Sequence, residues 1–94
     1  MSDSSFRMTI TDVFTIKGSG ALVTGQVESG LVIVGDEIFI MSPSGTKNVV
    51  VAGLEASHKK IPLAETGDNI SVLLKGVEVG VLQRGDVLSG SDED

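Results

Sequence analysis

Apolar and polar side chains alternate along residues 6–16. The even positions carry Phe6, Met8, Ile10, Asp12, Phe14 and Ile16, and the odd ones Arg7, Thr9, Thr11, Val13 and Thr15. A period of two describes a strand with one buried face, and the break at Asp12 and Val13 predicts a bend or bulge there. Lys17-Gly18-Ser19-Gly20 predicts a tight hairpin turn, because glycine supplies the positive φ angles such turns need. Residues 21–28 read as the return strand, with Val23, Gly25 and Val27 on one face and Leu22, Thr24 and Gln26 on the other. A glycine inside a strand predicts a bend or a close approach by another group.

Further strands are expected over 37–41, 47–55 and 69–75, with a last short one beginning at Val87. Ser29-Gly30, Gly35-Asp36 and Ser42-Pro43-Ser44-Gly45 separate them as turns. Residues 58–65, which include Pro62, read as less regular, and 76–82 as a connection. No segment combines a helical period with caps. Short strands with turn signals every eight to twelve residues or so predict an all-β barrel or sandwich. Closure would remove edges that a small sheet tolerates poorly.

One pattern recurs where strands begin: Gly35-Asp36-Glu37-Ile38, Gly67-Asp68-Asn69-Ile70 and Gly85-Asp86-Val87-Leu88. Each reads as a turn glycine, an aspartate that accepts local backbone N–H groups, and an inward aliphatic residue. The alternative, catalytic carboxylates, has less support, because Gly-Asp is ordinary turn chemistry. The unequal spacings make these corners rather than a repeat architecture.

Composition narrows the function classes. Ninety-four residues make one domain over 1–94, with a core over about 6–88 and flexible tails at 1–5 and 89–94. Both tails read as free ends, which favours a stand-alone protein over an excised domain. The net charge of −6 argues against generic grip on a nucleic-acid backbone. There is no cysteine, tyrosine or tryptophan, and one histidine. Thiol nucleophiles, thiolate metal sites and disulfides are therefore excluded. A serine triad would have to use His58, which reads as a surface turn residue, and no serine sits in a Gly-x-Ser-x-Gly elbow. Residues 18–25 are glycine-rich but lack the lysine and following helix of a phosphate loop. The chain is expected to be no enzyme, to bind no nucleotide by itself, and to need no cofactor or metal. No basic-then-apolar leader is present and no apolar run approaches the ~20 residues of a membrane span, so the expected location is the cytoplasm.

Read together, the motifs resemble the second domain of elongation factor Tu and related translational GTPases. They are Asp12-Val13-Phe14-Thr15-Ile16, Gly18-x-Gly20, Val23-Thr24-Gly25-x-Val27-Glu28-x-Gly30, Val34-Gly35-Asp36-Glu37, Gly53-Leu54-Glu55, Gly67-Asp68-Asn69-Ile70, Val72-Leu73-Leu74-Lys75-Gly76 and Arg84-Gly85-Asp86-Val87-Leu88. They fall in the family's order over nearly the whole chain. The resemblance implies a closed six-stranded antiparallel β-barrel, usually beside a GTPase domain. It also implies a binding role toward the aminoacyl end of tRNA, the ribosome or a partner GTPase.

Carried over residue by residue, the resemblance names Asp12, Phe14, Thr24, Glu55 and Asn69 as the ligand site. Phe14 would wall the amino-acid side chain, Thr24 and Asn69 would offer hydrogen bonds, and Glu55 would sit near the terminal adenosine. Each also has a structural reading: Asp12 stabilising a bulge, Phe14 in the core, Thr24 and Asn69 satisfying strand and turn hydrogen bonds. Lys59, Lys60 and Lys75 are candidate RNA or partner contacts, with a solvated turn as the alternative for Lys59-Lys60. The chain departs from the family pattern at Thr11, Ser19, Ala56-Ser57-His58 and Lys75, several of them on the face that would meet RNA. A second function therefore stays open, a protein-interaction or scaffold barrel that has lost RNA binding.

Overall fold

The computed structural model describes residues 3–16, 20–77 and 79–91. The expected hairpin turn at residues 17–19, including Ser19, lies outside them, as do the chain ends at 1–2 and 92–94. Ten strands follow in chain order: β1 Arg7–Thr9, β2 Asp12–Ile16, β3 Gly20–Ser29, β4 Leu31–Ile33, β5 Glu37–Ser42, β6 Gly45–Ala56, β7 Lys59–Lys60, β8 Leu63–Glu65, β9 Asn69–Lys75 and β10 Val87–Ser89. A 3-10 turn, Val79–Val81, lies in the connection between β9 and β10.

The barrel closes through six antiparallel strands, β1-β10-β5-β6-β9-β3, with β3 pairing back onto β1. β2 continues beside β3 where β1 stops, β7 folds back on β6, and β4 pairs with β8 as a separate ribbon. The interior is filled by side chains at alternate positions. Met8, Val23, Val51, Val72, Leu74 and Leu88 are all fully buried. The segment expected to be irregular, 58–65, contains the two short strands β7 and β8.

The long strand expected over 6–16 is two strands with a bulge between them. Thr11 donates its amide to the Thr24 carbonyl, and Asp12 stands opposite Thr24 in the ladder. Two residues thus oppose one, and the extra residue reverses the alternation. Phe6, Met8 and Ile10 point inward, whereas beyond the bulge Val13 packs toward the core and Phe14 turns out. A second bulge lies in β6, where Val51 pairs with Leu74 but Gly53 with Leu73, leaving Ala52 over. It too reverses the phase: Val49 and Val51 are buried before it, Leu54 after it. Glu55 consequently faces out.

The three Gly-Asp corners share one geometry. Asp36, Asp68 and Asp86 each return a main-chain bond to the residue three back, at 3.0, 3.0 and 3.1 Å. Gly35, Gly67 and Gly85 hold the third position with φ of 98°, 95° and 94°, as a type II turn requires. Each carboxylate then accepts the amide of the turn's first residue, Ile33, Glu65 or Gln83, at 2.9, 2.9 and 3.1 Å. Each corner also clasps one strand residue from both sides. Val51, Val27 and Ile10 donate to the aspartate carbonyls and accept from the glycine amides. The carboxylates are accordingly turn locks, and Ile38, Ile70 and Leu88 follow them into the core.

Candidate functional site

The outer face of β2, β3, β9 and β6 carries the candidate residues in rows set by register. Asp12 pairs with Thr24, Thr24 with Ser71, Ser71 with Glu55, and Glu55 with Lys60. The neighbouring row runs Phe14, Leu22, Leu73, Gly53. On the other side of the first row, Gln26 pairs with Asn69. Antiparallel neighbours directly opposite each other lie close enough for their side chains to act together. The face therefore grades from apolar, through a mixed row, to polar amides.

Two cavities follow that gradient. One, of about 500 Å³, is lined by Thr11, Thr24, Gln26, Glu55, Ser57, His58, Asn69 and Ser71 among others. The other, of about 470 Å³, is an apolar groove with walls of Ile16, Leu22, Leu73, Val34 and Ile61, and it has Lys60 and Glu55 on its lining. Glu55 and Ser71 belong to both. The two cavities are therefore one bent surface, polar at one end and apolar at the other.

Part of the polar lining is fixed by the chain itself. Thr11 Oγ1 lies 3.0 Å from both the Thr24 carbonyl and Thr24 Oγ1, and Gln26 Nε2 donates to the Gly67 carbonyl at 3.1 Å. The hairpin carrying Glu55 turns back within two residues, Ser57 and His58, which take φ of 52° and 65°. Left-handed backbone at a non-glycine residue costs about 1–2 kcal/mol.

Of the residues expected from sequence, Thr24, Glu55 and Asn69 meet in the polar cavity. Asp12 and Phe14 do not line it. Asp12 Oδ1 accepts the Val13 amide at 3.0 Å and meets the Arg84 guanidinium at 3.3 Å, so it secures the bulge and ties β2 to the corner before β10. Phe14 is 47% exposed, which removes the core reading and leaves it on the rim row beside Leu22. Lys60 lies at the groove, Lys59 pairs with Ala56 on the same hairpin, and Lys75 stands opposite Val50 at the other end of β9. Sequence reading singled out neither Ser71 nor the groove-forming pair Leu22 and Leu73. Their signal was present in the alternation of β3 and β9, as the partners of the residues assigned to the interior.

A family model described as elongation factor Tu domain 2 matches residues 20–89. The solved structure of translation elongation factor SelB from Methanococcus maripaludis, in its apo form, is similar over 98% of this chain, with 30% identity and a TM-score of 0.87. The match takes in 20% of that chain, so this one spans about a fifth of the length of SelB.

Proposed function

The chain belongs to the elongation factor Tu domain 2 family, and from that membership and the joined cavities we propose a non-catalytic binding module of translation that holds the aminoacyl 3′ end of a tRNA. The observation that carries this reading is the position of Glu55, on the lining of both cavities. A groove walled by Ile16, Leu22 and Leu73 suits the flat face of a nucleobase, and a carboxylate at its end accepts a hydrogen from an exocyclic amino group. Around the bend, the hydroxyls and amides of Thr24, Ser71 and Asn69 match the remaining ribose 2′-hydroxyl and an ester carbonyl. In this reading Phe14, on the rim, would cover the amino-acid side chain, and Lys59 and Lys60 would meet the sugar–phosphate chain leading in. The cytoplasm is where such a module would work. Among the described residues no helix is long and apolar enough to cross a membrane.

The test is titration of the protein with a short RNA carrying a 3′-aminoacyl ester, followed through backbone amide shifts. Shifts at Leu22, Thr24, Glu55, Asn69 and Leu73, weakened at least tenfold by Glu55→Ala, are expected. This order of loss is that of a hydrogen bond to a charged group. An RNA that moves none of these amides defeats the reading. Shifts produced instead by a translational GTPase or a ribosomal protein would favour the scaffold function.

A further inference from the structure

The β4–β8 ribbon is apolar on both faces. Val32 and Ala64 point inward and are fully buried. The other face of a half-covered sheet is ordinarily polar. Here it carries Leu31, Ile33 and Leu63, with Glu65 beside them. Ile33 and Leu63 stand directly opposite each other at 38% and 45% exposure. Val34, 41% exposed, extends the patch toward Pro62, whose carbonyl accepts the Val34 amide at 3.1 Å. A contiguous apolar face turned to water marks a contact surface.

The edges of the ribbon are closed. The Leu31, Ile33 and Glu65 amides donate to the carboxylates of Asp3, Asp36 and Asp68 at 3.0, 2.9 and 2.9 Å. A further strand on either edge would have to displace these charge-assisted bonds. What covers the patch must therefore arrive face-on. The charges along the chain identify it. Lys60-Ile61-Pro62-Leu63-Ala64-Glu65 runs from a cation through an apolar centre to an anion. A two-fold axis sets residue i of one copy against residue j of the other, and j against i. Two such segments laid antiparallel bring Leu63 onto Pro62 and, at both ends, Lys60 onto Glu65. Both charged residues are exposed, and among the described residues no ion pair engages either.

We propose that the outer face of the β4–β8 ribbon is a self-association surface, on which a second copy of this chain packs about a two-fold axis with Lys60 against Glu65 at each end. A few half-exposed side chains bury less than the ~1,200 Å² of stable complexes, so the dimer is weak, with a Kd on the order of 0.1–1 mM. The net charge of −6 on each copy opposes contact. At physiological salt the Debye length is about 8 Å, and a molecule measuring 31 × 27 × 22 Å keeps most of its charge farther than that from the other copy. The close Lys60–Glu65 pairs are felt, while the distant like charges are largely screened. Self-association needs no RNA, and it stands or falls apart from the RNA-end reading.

The experiment is sedimentation equilibrium at physiological salt, over concentrations from about 10 μM to about 1 mM that bracket the expected Kd. The average mass should climb from 9.7 kDa toward twice that value. Leu63→Asp, and independently Ile33→Asp, should stay monomeric throughout with Tm within about 3 °C of wild type, because both side chains are exposed. Lys60→Glu and Glu65→Lys each set like charges together at both ends and should weaken the dimer about tenfold. The double variant K60E/E65K exchanges the signs and should restore it. A wild-type protein still at 9.7 kDa at the highest concentration would overturn the proposal. So would a double variant no stronger than either single one, or folded Leu63→Asp and Ile33→Asp proteins that still dimerise. Growth past twice the monomer mass would overturn it too, since that marks a contact that does not close.

Discussion

Gly25 shows how much one missing side chain determines. It sits in the middle of β3, facing inward, and a Cβ there would press on the Thr9 carbonyl oxygen and lie 3.1 Å from Met8 Cγ. The closure of β1 onto β3 depends on that absence. Gly25→Ala should therefore destabilise the protein by about 2 kcal/mol, read as a lower midpoint in urea unfolding. Asp3 acts from the surface. Its carboxylate accepts the Ser5 hydroxyl at 2.5 Å, the Ser5 amide at 2.8 Å and the Leu31 amide at 3.0 Å. The bond from the Ser5 hydroxyl, then that from its amide, hold this carboxyl below its ordinary 3.8 against a smaller opposing effect of burial. A depressed carboxyl stabilises the fold fully above its ordinary value and ceases to as pH falls through the lowered one. Asp3→Asn should then lower Tm at pH 7, and the difference should vanish in acid. A difference that persists at low pH would show that the carboxylate charge is not its source.

At the scale of elements, the three corners and the bulges at Thr11 and Ala52 do different work. The corners lock strand ends, and burial ranks them. Asp36 and Asp86 are 8% and 5% exposed, whereas the Asp68 carboxylate bonds at an exposed site. Removing a buried acceptor leaves its donor unsatisfied, while water replaces an exposed one. Asp36→Ala and Asp86→Ala should each cost about 2–3 kcal/mol and Asp68→Ala about 1 or less, measured by chemical unfolding. Equal losses would mean that the carboxylates matter through turn preference alone. The bulges decide which side chains reach the ligand face. Had the alternation run on unbroken, with no bulge at Thr11, Phe14 would continue the inward row of Phe6, Met8 and Ile10; with none at Ala52, Glu55 would follow Val49 and Val51 inward. Each bulge thus delivers a candidate site residue to the outer surface.

For the whole molecule the informative quantity is the small number of cations on the binding face. The chain carries a net charge of −6, and among the described residues Lys60 is the one lysine on the lining of the two joined cavities, with Lys59 next to it. Single-stranded nucleic acid contributes a salt slope of about −0.7 per neutralised phosphate. The proposed RNA end should therefore bind with a slope no steeper than about −1.5, since recognition rests on hydrogen bonds and apolar contact. Titration over a range of salt concentrations checks this. A slope beyond about −3 would place the contact on some other, basic surface.

The sequence by itself determined an all-β chain with its punctuation: the glycine turns, the Gly-Asp corners, the inward rows of β3 and β9, and the ordered motifs of a translation-factor barrel. Those signals are local, because turn chemistry and a period of two act between neighbouring residues. Thr24 and Asn69 were legible as candidates from the motifs, yet that they share a cavity with Glu55 follows only from the ladder register joining β3, β9 and β6. The outward turn of Phe14 was hidden for a related reason. A bulge shows in sequence only as a break in alternation, and which side the chain resumes on depends on the strand opposite. Strain at Ser57 and His58, and the groove between Leu22, Leu73 and Ile61, belong wholly to the tertiary structure. The strain comes from pairing Ala56 with Lys59 across only two residues; the groove arises where segments distant in sequence are brought together by closure, and no pattern along a single strand encodes which partner that will be.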